Sequence, residues 1–248
     1  MEEITSVNNE LVKETAKLQQ KKYRDLNDKF ILEGFKLIEE AVSAGIQLEY
    51  IFVLNNTLKK YNFCNCKIIS TNDAVLKKIS AADSAPEAIA VAKQIHHDIK
   101  ALKDAKKIIL LENIKDLGNL GTIIRSASAF GMDGIILYGD CTDLYNPKCV
   151  RSTVGNLWKT PIVEIKDIKI LEKYFKNYTR VATLPLAKNM LRDFKQTNKM
   201  LIMFGSEADG LSKELINFST ESLKIEMVSN VESLNLAVSC AIVMHTIM

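Results

Sequence analysis

The 248-residue sequence has no apolar run long enough to cross a bilayer. Runs such as Ile108–Leu111 extend only a few residues, against about 20 needed for a spanning helix. The first ten residues, MEEITSVNNE, lack the basic and apolar regions of a secretory signal, so the cytoplasm is the expected location. The five cysteines (Cys64, Cys66, Cys141, Cys149 and Cys240) are odd in number and scattered, which argues against a disulfide framework. Cys64-Asn65-Cys66 is not a CxxC pair and no second pair answers it, so no metal is expected. Internal repeats and low-complexity tracts are absent. So is a Gly-rich turn after a first strand anywhere in residues 1–60, which argues against a dinucleotide-binding or Rossmann-type enzyme. A large charge of one sign is missing too: 33 Lys+Arg against 30 Asp+Glu leaves +3.

What remains is the composition of a globular protein, 47% hydrophobic and 25% charged. The positive charge is clustered rather than abundant. Lys13, Lys17, Lys21, Lys22, Arg24 and Lys29 fall close together, and the 13/17/21 spacing puts three lysines on one face of a helix expected over Asn8–Lys22. Such a stripe suits a phosphate backbone, or is only a solvated face. Strand candidates at Lys29–Glu33, Leu48–Leu54, Cys66–Ile69 and Ala88–Ala92 alternate with helical stretches at Gly34–Gly45 and from a Thr71 cap to Ser80. They imply a small α/β domain over residues 1–97. Residues 98–106, rich in lysine, read as a linker. Residues 107–248 then carry strand candidates at Lys107–Leu111, Gly134–Tyr138, Arg180–Leu184, Met200–Phe204 and Ser222–Glu226. Helices at Leu120–Phe130, Ile168–Phe175 and Leu234–Thr246 separate most of them. The fold class is α/β, with a mostly parallel sheet covered on both faces and ligands expected at the strands' carboxyl ends.

Three segments follow such ends. In Asp116–Arg125 a glycine-containing turn opens a helix that Asn119 can cap. Arg125 follows amid Ile123, Ile124, Ala127 and Ala129, company in which an arginine tends to hold a carboxylate or phosphate. In Phe204–Ser212, Gly205 and Gly210 permit close approach or positive φ, Glu207 and Asp209 place carboxylates, and Ser212 caps the next helix. In Ile225–Ser239, a strand and polar loop lead to Ser233-Leu234-Asn235 at a helix start, where anions collect.

Singly, each segment has a bland explanation as a turn or a cap. In this order they resemble the three motifs of the SpoU (TrmH-like) family of SPOUT RNA 2′-O-ribose methyltransferases: NLGTIIR at Asn119–Arg125, FGSEADGLS at Phe204–Ser212, and Ile225-x-Met227 with Ser233-Leu234-Asn235. Arg151–Pro161 resembles the family's R-x-S-x-G-x-x-F-x-x-P stretch, with Thr153 for Ser and Trp158 for Phe. Lys21–Leu54 is similar to the family's L30e-like substrate-binding domain.

The resemblance implies a methyl transfer from S-adenosylmethionine to a ribose 2′-hydroxyl of structured RNA. Ribosomal RNA of the large subunit (23S) is favoured over transfer RNA or a catalytically inactive RNA-binding role. It implies a C-terminal trefoil knot and a homodimer formed through the C-terminal domain. It assigns cofactor binding to Thr183, Leu184, Gly205, Ile225, Met227 and Leu234, with Gly205 letting the chain pass close to the nucleoside. Catalysis falls to Arg125, Asn119, Glu207 and Asn235. A guanidinium stays protonated at ordinary pH, so Arg125 is expected to clamp charge rather than take a proton. Lys13, Lys17, Lys21, Lys22, Arg24, Arg151 and Thr153 are the expected RNA contacts. The apolar Leu234–Met248 helix is expected to be buried by a core or a partner.

Overall fold

The computed structural model describes residues 2–228 and 233–248. It divides into two compact units, Met1–Ile95 with Asp143–Trp158, and His96–Thr142 with Lys159–Met248. Asp143–Trp158, which the sequence places within the second domain, therefore folds with the first unit.

The first unit begins β1 (Glu2–Glu3), α1 (Glu10–Lys17), α2 (Lys21–Asn27), β2 (Lys29–Glu33), α3 (Phe35–Ser43) and β3 (Leu48–Leu54). A 3-10 helix (Asn55–Tyr61), β4 (Lys67–Thr71), α4 (Asp73–Ile79) and β5 (Ala88–Lys93) follow. Its five strands lie in the order β1-β4-β3-β5-β2. The apolar stretches Phe30–Leu32 of edge strand β2 and Ala88–Ala92 of its neighbour β5 are buried. The expected Asn8–Lys22 helix is two helices. Leu18 closes α1, the chain is extended at Gln20, and α2 starts at Lys21. The turn is held from both sides, because Arg24 Nη1 donates to the Leu18 carbonyl and Gln19 Nε2 to the carbonyls of Ile79 and Ser80. Asn72, not Thr71, caps α4; the Thr71 hydroxyl donates to the Ile4 carbonyl instead.

The second unit opens with β6 (Lys107–Glu112), α5 (Leu117–Ala129) and β7 (Gly134–Tyr138). The chain then supplies α6 (Pro147–Thr153), which packs on β2 of the first unit. There Asp143 pairs with Arg24 and Glu33 with Arg151. The second unit resumes with β8 (Ile162–Ile165), α7 (Ile168–Phe175), β9 (Thr179–Thr183) and β10 (Asn189–Met190). It ends with β11 (Met200–Phe204), α8 (Lys213–Phe218), β12 (Glu221–Lys224) and α9 (Leu236–Thr246). Its sheet runs β10-β12-β9-β11-β6-β7-β8, and all its pairings are parallel. The expectation of an α/β fold with a mainly parallel sheet is met. Continuous apolar strands such as Ile108–Leu111 and Met200–Phe204 are wholly buried. Residues 98–106 do not lie free: Leu102 is buried in the second unit's core, and a Cβ on Gly134 would strike its side chain. No described helix is long and apolar enough to cross a membrane.

Candidate active site

At the carboxyl ends of β6, β9, β11 and β12, in the second unit, two cavities adjoin. The first, about 730 Å³, is lined by Thr183 and Leu184 after β9, Phe204–Leu211 at and after the end of β11, Ile225 and Met227 after β12, and Ser233–Leu236 at the start of α9. All six residues expected to bind a cofactor line it. The second, about 830 Å³, shares Ser206–Asp209 and Asn235 with the first and adds Asn113, Lys115, Asp116, Asn119 and Asp140. Residues 229–232, part of the third motif segment, lie outside the described residues.

The loop between the cavities is built around Gly205. A Cβ there would overlap the backbone of Gly210 and Leu211. Glycine is thus required so that the Ser206–Gly210 loop can fold back against its own stem. Gly210 N–H donates to the Ser206 carbonyl at 3.1 Å, and Gly210 takes φ +67°. The Ser206 hydroxyl accepts from Asp209 N–H at 3.0 Å. Beyond the loop, Ser212 caps α8 as expected, and its own N–H donates to buried Glu112 at 2.7 Å.

Three of the four expected catalytic residues meet. Asp116 rather than Asn119 caps α5, accepting the Asn119 N–H at 2.7 Å. Asn119 therefore sits in the first turn with its side chain free for other work. Its Nδ2 donates to Glu207 Oε1 at 2.7 Å, and its Oδ1 accepts from Asn235 Nδ2 at 3.0 Å. Asn235 Oδ1 in turn caps α9, accepting from Ala237 and Val238. The result is one hydrogen-bonded chain from the α9 N-terminus to the Glu207 carboxylate. Behind it, Cys240 is fully buried; burial and the nearby Glu207 charge hold its thiol well above the usual range, so it is no nucleophile. None of the three histidines lines either cavity.

Arg125 stands apart. Ile123, Ile124 and Ala127 are buried, but Arg125 itself points to solvent. It lines neither cavity and makes no ion pair or hydrogen bond with the described residues. Two of the expected RNA contacts are not surface groups. Arg24 is 1% exposed and held by Asp143 and the Leu18 carbonyl. Thr153 is fully buried, its hydroxyl donating to the Val150 carbonyl at 2.7 Å. Arg151 pairs with Glu33. Lys17 and Lys21 pair with Glu14 and Asp25, while Lys13 and Lys22 are exposed. The helix break at Leu18–Gln20 also takes Lys21 off the face of Lys13 and Lys17. Sequence reading missed Asn113, Lys115 and Asp140. The first two directly follow β6, a position that could have marked them.

The first cavity suits a nucleoside with a charged tail. Its volume is ordinary for a small-ligand site. Leu184, Ile216, Leu223 and Leu234 offer apolar surface, and Glu207 and Asp209 add carboxylates that suit a cationic centre.

A family model described as the SpoU rRNA Methylase family matches residues 106–245, and one described as the MRM3-like substrate binding domain matches residues 9–90. The chain is 28% identical to the 23S rRNA (guanosine(2553)-2′-O)-methyltransferase RlmP of Bacillus subtilis, over 99% of this chain and 98% of that one. It is 29% identical to an uncharacterized tRNA/rRNA methyltransferase of Synechocystis, over 98% and 92%. Among solved structures, an AdoMet-bound rRNA methyltransferase from Sinorhizobium meliloti superposes with TM-score 0.88 at 27% identity, covering 99% of this chain and 96% of that one. The chain belongs to the SpoU rRNA methylase family.

Proposed function

We propose that this chain methylates a ribose 2′-hydroxyl of ribosomal RNA, most specifically 23S RNA, using S-adenosylmethionine and acting in the cytoplasm as a homodimer. The observation that carries the reading is the Asn235–Asn119–Glu207 hydrogen-bonded chain at the junction of the two cavities. It puts a fixed carboxylate and two oriented amides where a donor in one cavity and a ribose in the other would meet. The names of the relatives support the RNA and the position methylated.

S-adenosylmethionine would supply an electrophilic methyl group already activated by its sulfonium. Thr183, Leu184, Gly205, Ile225, Met227 and Leu234 would hold it. The protein's remaining task is to align a poor nucleophile and stabilise charge on its oxygen. Glu207, fixed by Asn119, would accept a hydrogen bond from the ribose hydroxyl and take its proton as the methyl passes from sulfur to oxygen. Arg125 lines neither cavity, and the second cavity has four carboxylates against one lysine. A second copy therefore completes the site by bringing its own Arg125 to the RNA phosphate. Val238 and Ile242 on α9, 48% and 36% exposed one turn apart, offer the apolar face for that pairing. In this reading the first unit selects the RNA and the second binds cofactor and performs the transfer. The reading includes the trefoil knot that the family resemblance implies.

The test is incubation of the purified protein with radiolabelled S-adenosylmethionine and deproteinised RNA from cells lacking the gene. Label should enter 23S RNA as one 2′-O-methyl nucleotide. A protein that binds the cofactor yet labels no RNA would refute the reading.

A further inference from the structure

The lysine stripe on α1 and α2 is interrupted and half neutralised, so the first unit needs another surface if it is to hold RNA. Such a surface follows β3. Residues 55–67, NNTLKKYNFCNCK, contain three lysines, four asparagines and no acid. Asn55, Asn56, Asn62 and Asn65 are all exposed.

Two aromatic rings of this segment, Tyr61 and Phe63, assemble with Phe35 of α3. Tyr61 is fully buried, and its hydroxyl donates to Glu87 Oε1 at 3.1 Å. Burial and the Glu87 charge push its phenol up, so it remains a donor. Phe35, at the first position of α3, meets Tyr61 edge-on at 5.4 Å and Phe63 edge-on at 5.7 Å, and Tyr61 and Phe63 are 6.2 Å apart. Phe63 itself is 38% exposed. An isolated exposed phenylalanine is ordinary on a protein surface. This one is different, because it packs against two neighbouring rings, one of them anchored by its own hydrogen bond to Glu87. Lys36 and Lys59 are exposed and make no ion pair with the described residues, whereas Lys60 is occupied by Glu87.

We infer that Phe63, backed by Phe35 and Tyr61 and with exposed Lys36, Lys59 and four asparagines close to these rings in the sequence, is a stacking platform for an unpaired nucleotide of the RNA substrate. This rests on the methyltransferase reading above and names where the first unit grips. Unpaired bases offer a π face to an aromatic ring and polar edges to amides, and lysines take the neighbouring phosphates. The absence of any acid in the segment fits a polyanion.

The experiment compares the full-length wild type with Phe63→Leu, Phe63→Trp and Lys59→Gln. It uses deproteinised 23S RNA from cells lacking the gene, with filter binding for Kd and initial rates for KM and kcat. Leucine keeps apolar packing against Phe35 but has no π face, so the fold is retained; a thermal melt checks this. Phe63→Leu should raise RNA Kd and KM about tenfold, the size of one stacked base, with kcat and cofactor KM unchanged. Phe63→Trp should restore wild-type values, and Lys59→Gln should lower the salt dependence of binding. Unchanged RNA binding in Phe63→Leu overturns the platform. A wild type that binds RNA but methylates none refutes the activity reading alone, because the Kd comparison still decides the platform. A wild type that binds no RNA overturns both.

Discussion

Asn119 donates its side-chain amide to Glu207 at 2.7 Å, although 88 residues separate the two in sequence. The bond joins the first turn of α5 to the loop after β11, and Asn235 extends it to the head of α9. Each motif of the site thus fixes another. Asn119→Ala removes the donor to Glu207 and the acceptor for Asn235 at once. The kcat should fall about 100-fold or more, the scale of losing a preorganised polar contact at a reacting centre. Cofactor Kd should change less than threefold, since Asn119 does not line the cavity proposed for the cofactor. Asn119→Asp keeps the shape but sets a carboxylate against Glu207, and should be no better than alanine. Single-turnover rates with calorimetry of cofactor binding measure both; a wild-type rate in either variant would break the assignment.

Gly205→Ala tests why the motif's glycine is there. The added Cβ meets the backbone of Gly210 and Leu211, which cannot swing aside as a long side chain could. Overpacking of this kind costs about 1–3 kcal/mol, read as a lower midpoint in urea. The loop that separates the cavities must also shift, so cofactor affinity should fall at least tenfold. If the glycine served only to admit a nucleoside, affinity would fall with no loss of stability.

The sequence pattern made the second unit's sheet legible because its strands are continuous apolar runs between helices: β7 and β11 fall at the expected residues. The motifs brought the six residues expected to bind the cofactor to the lining of one cavity. Short elements were not visible. β8 is four residues and β10 two, too short for periodicity to register. Helical spacing across Leu11, Thr15, Leu18 and Lys22 hid the break after Leu18, because the tertiary bonds from Gln19 and Arg24 that hold it come from side chains which pattern alone reads as solvated. The same blindness made Arg24 look like an RNA ligand. That Asp143–Trp158 folds with the first unit could not be read either, since it depends on ion pairs more than one hundred residues apart in sequence.

Arg24 and Asp143 give the third prediction. Arg24 is 1% exposed and Asp143 12%. Asp143→Ala strands a buried guanidinium and should cost about 3–5 kcal/mol, whereas replacing both residues by apolar ones of similar volume should cost much less. Equilibrium unfolding in urea gives both values. The double variant, once shown folded, should keep wild-type RNA KM. A raised KM there would return Arg24 to the RNA surface.

Lys115 and Asp140 make the fourth. Lys115 is the one cation among four carboxylates lining the second cavity. In the free protein it pairs with Asp140 and donates to the Asp140 carbonyl at 2.8 Å. Both side chains are largely exposed, so the pair is weak and an RNA phosphate can displace it. Hydrogen bonding to Lys115 lowers the Asp140 pKa below the usual aspartate value. The interaction is thus fully present above that usual value and is lost only as pH falls through the lowered one, which keeps it intact throughout an assay between pH 7 and 8. Two substitutions should then act in opposite directions. Lys115→Gln removes the phosphate's partner and should raise RNA KM several-fold. Asp140→Asn releases Lys115 from its competitor and should lower it, by the same factor at pH 7 and pH 8. Steady-state kinetics across RNA concentration decide the matter, and a shift of both variants in one direction would mean that the pair merely braces the rim of the cavity.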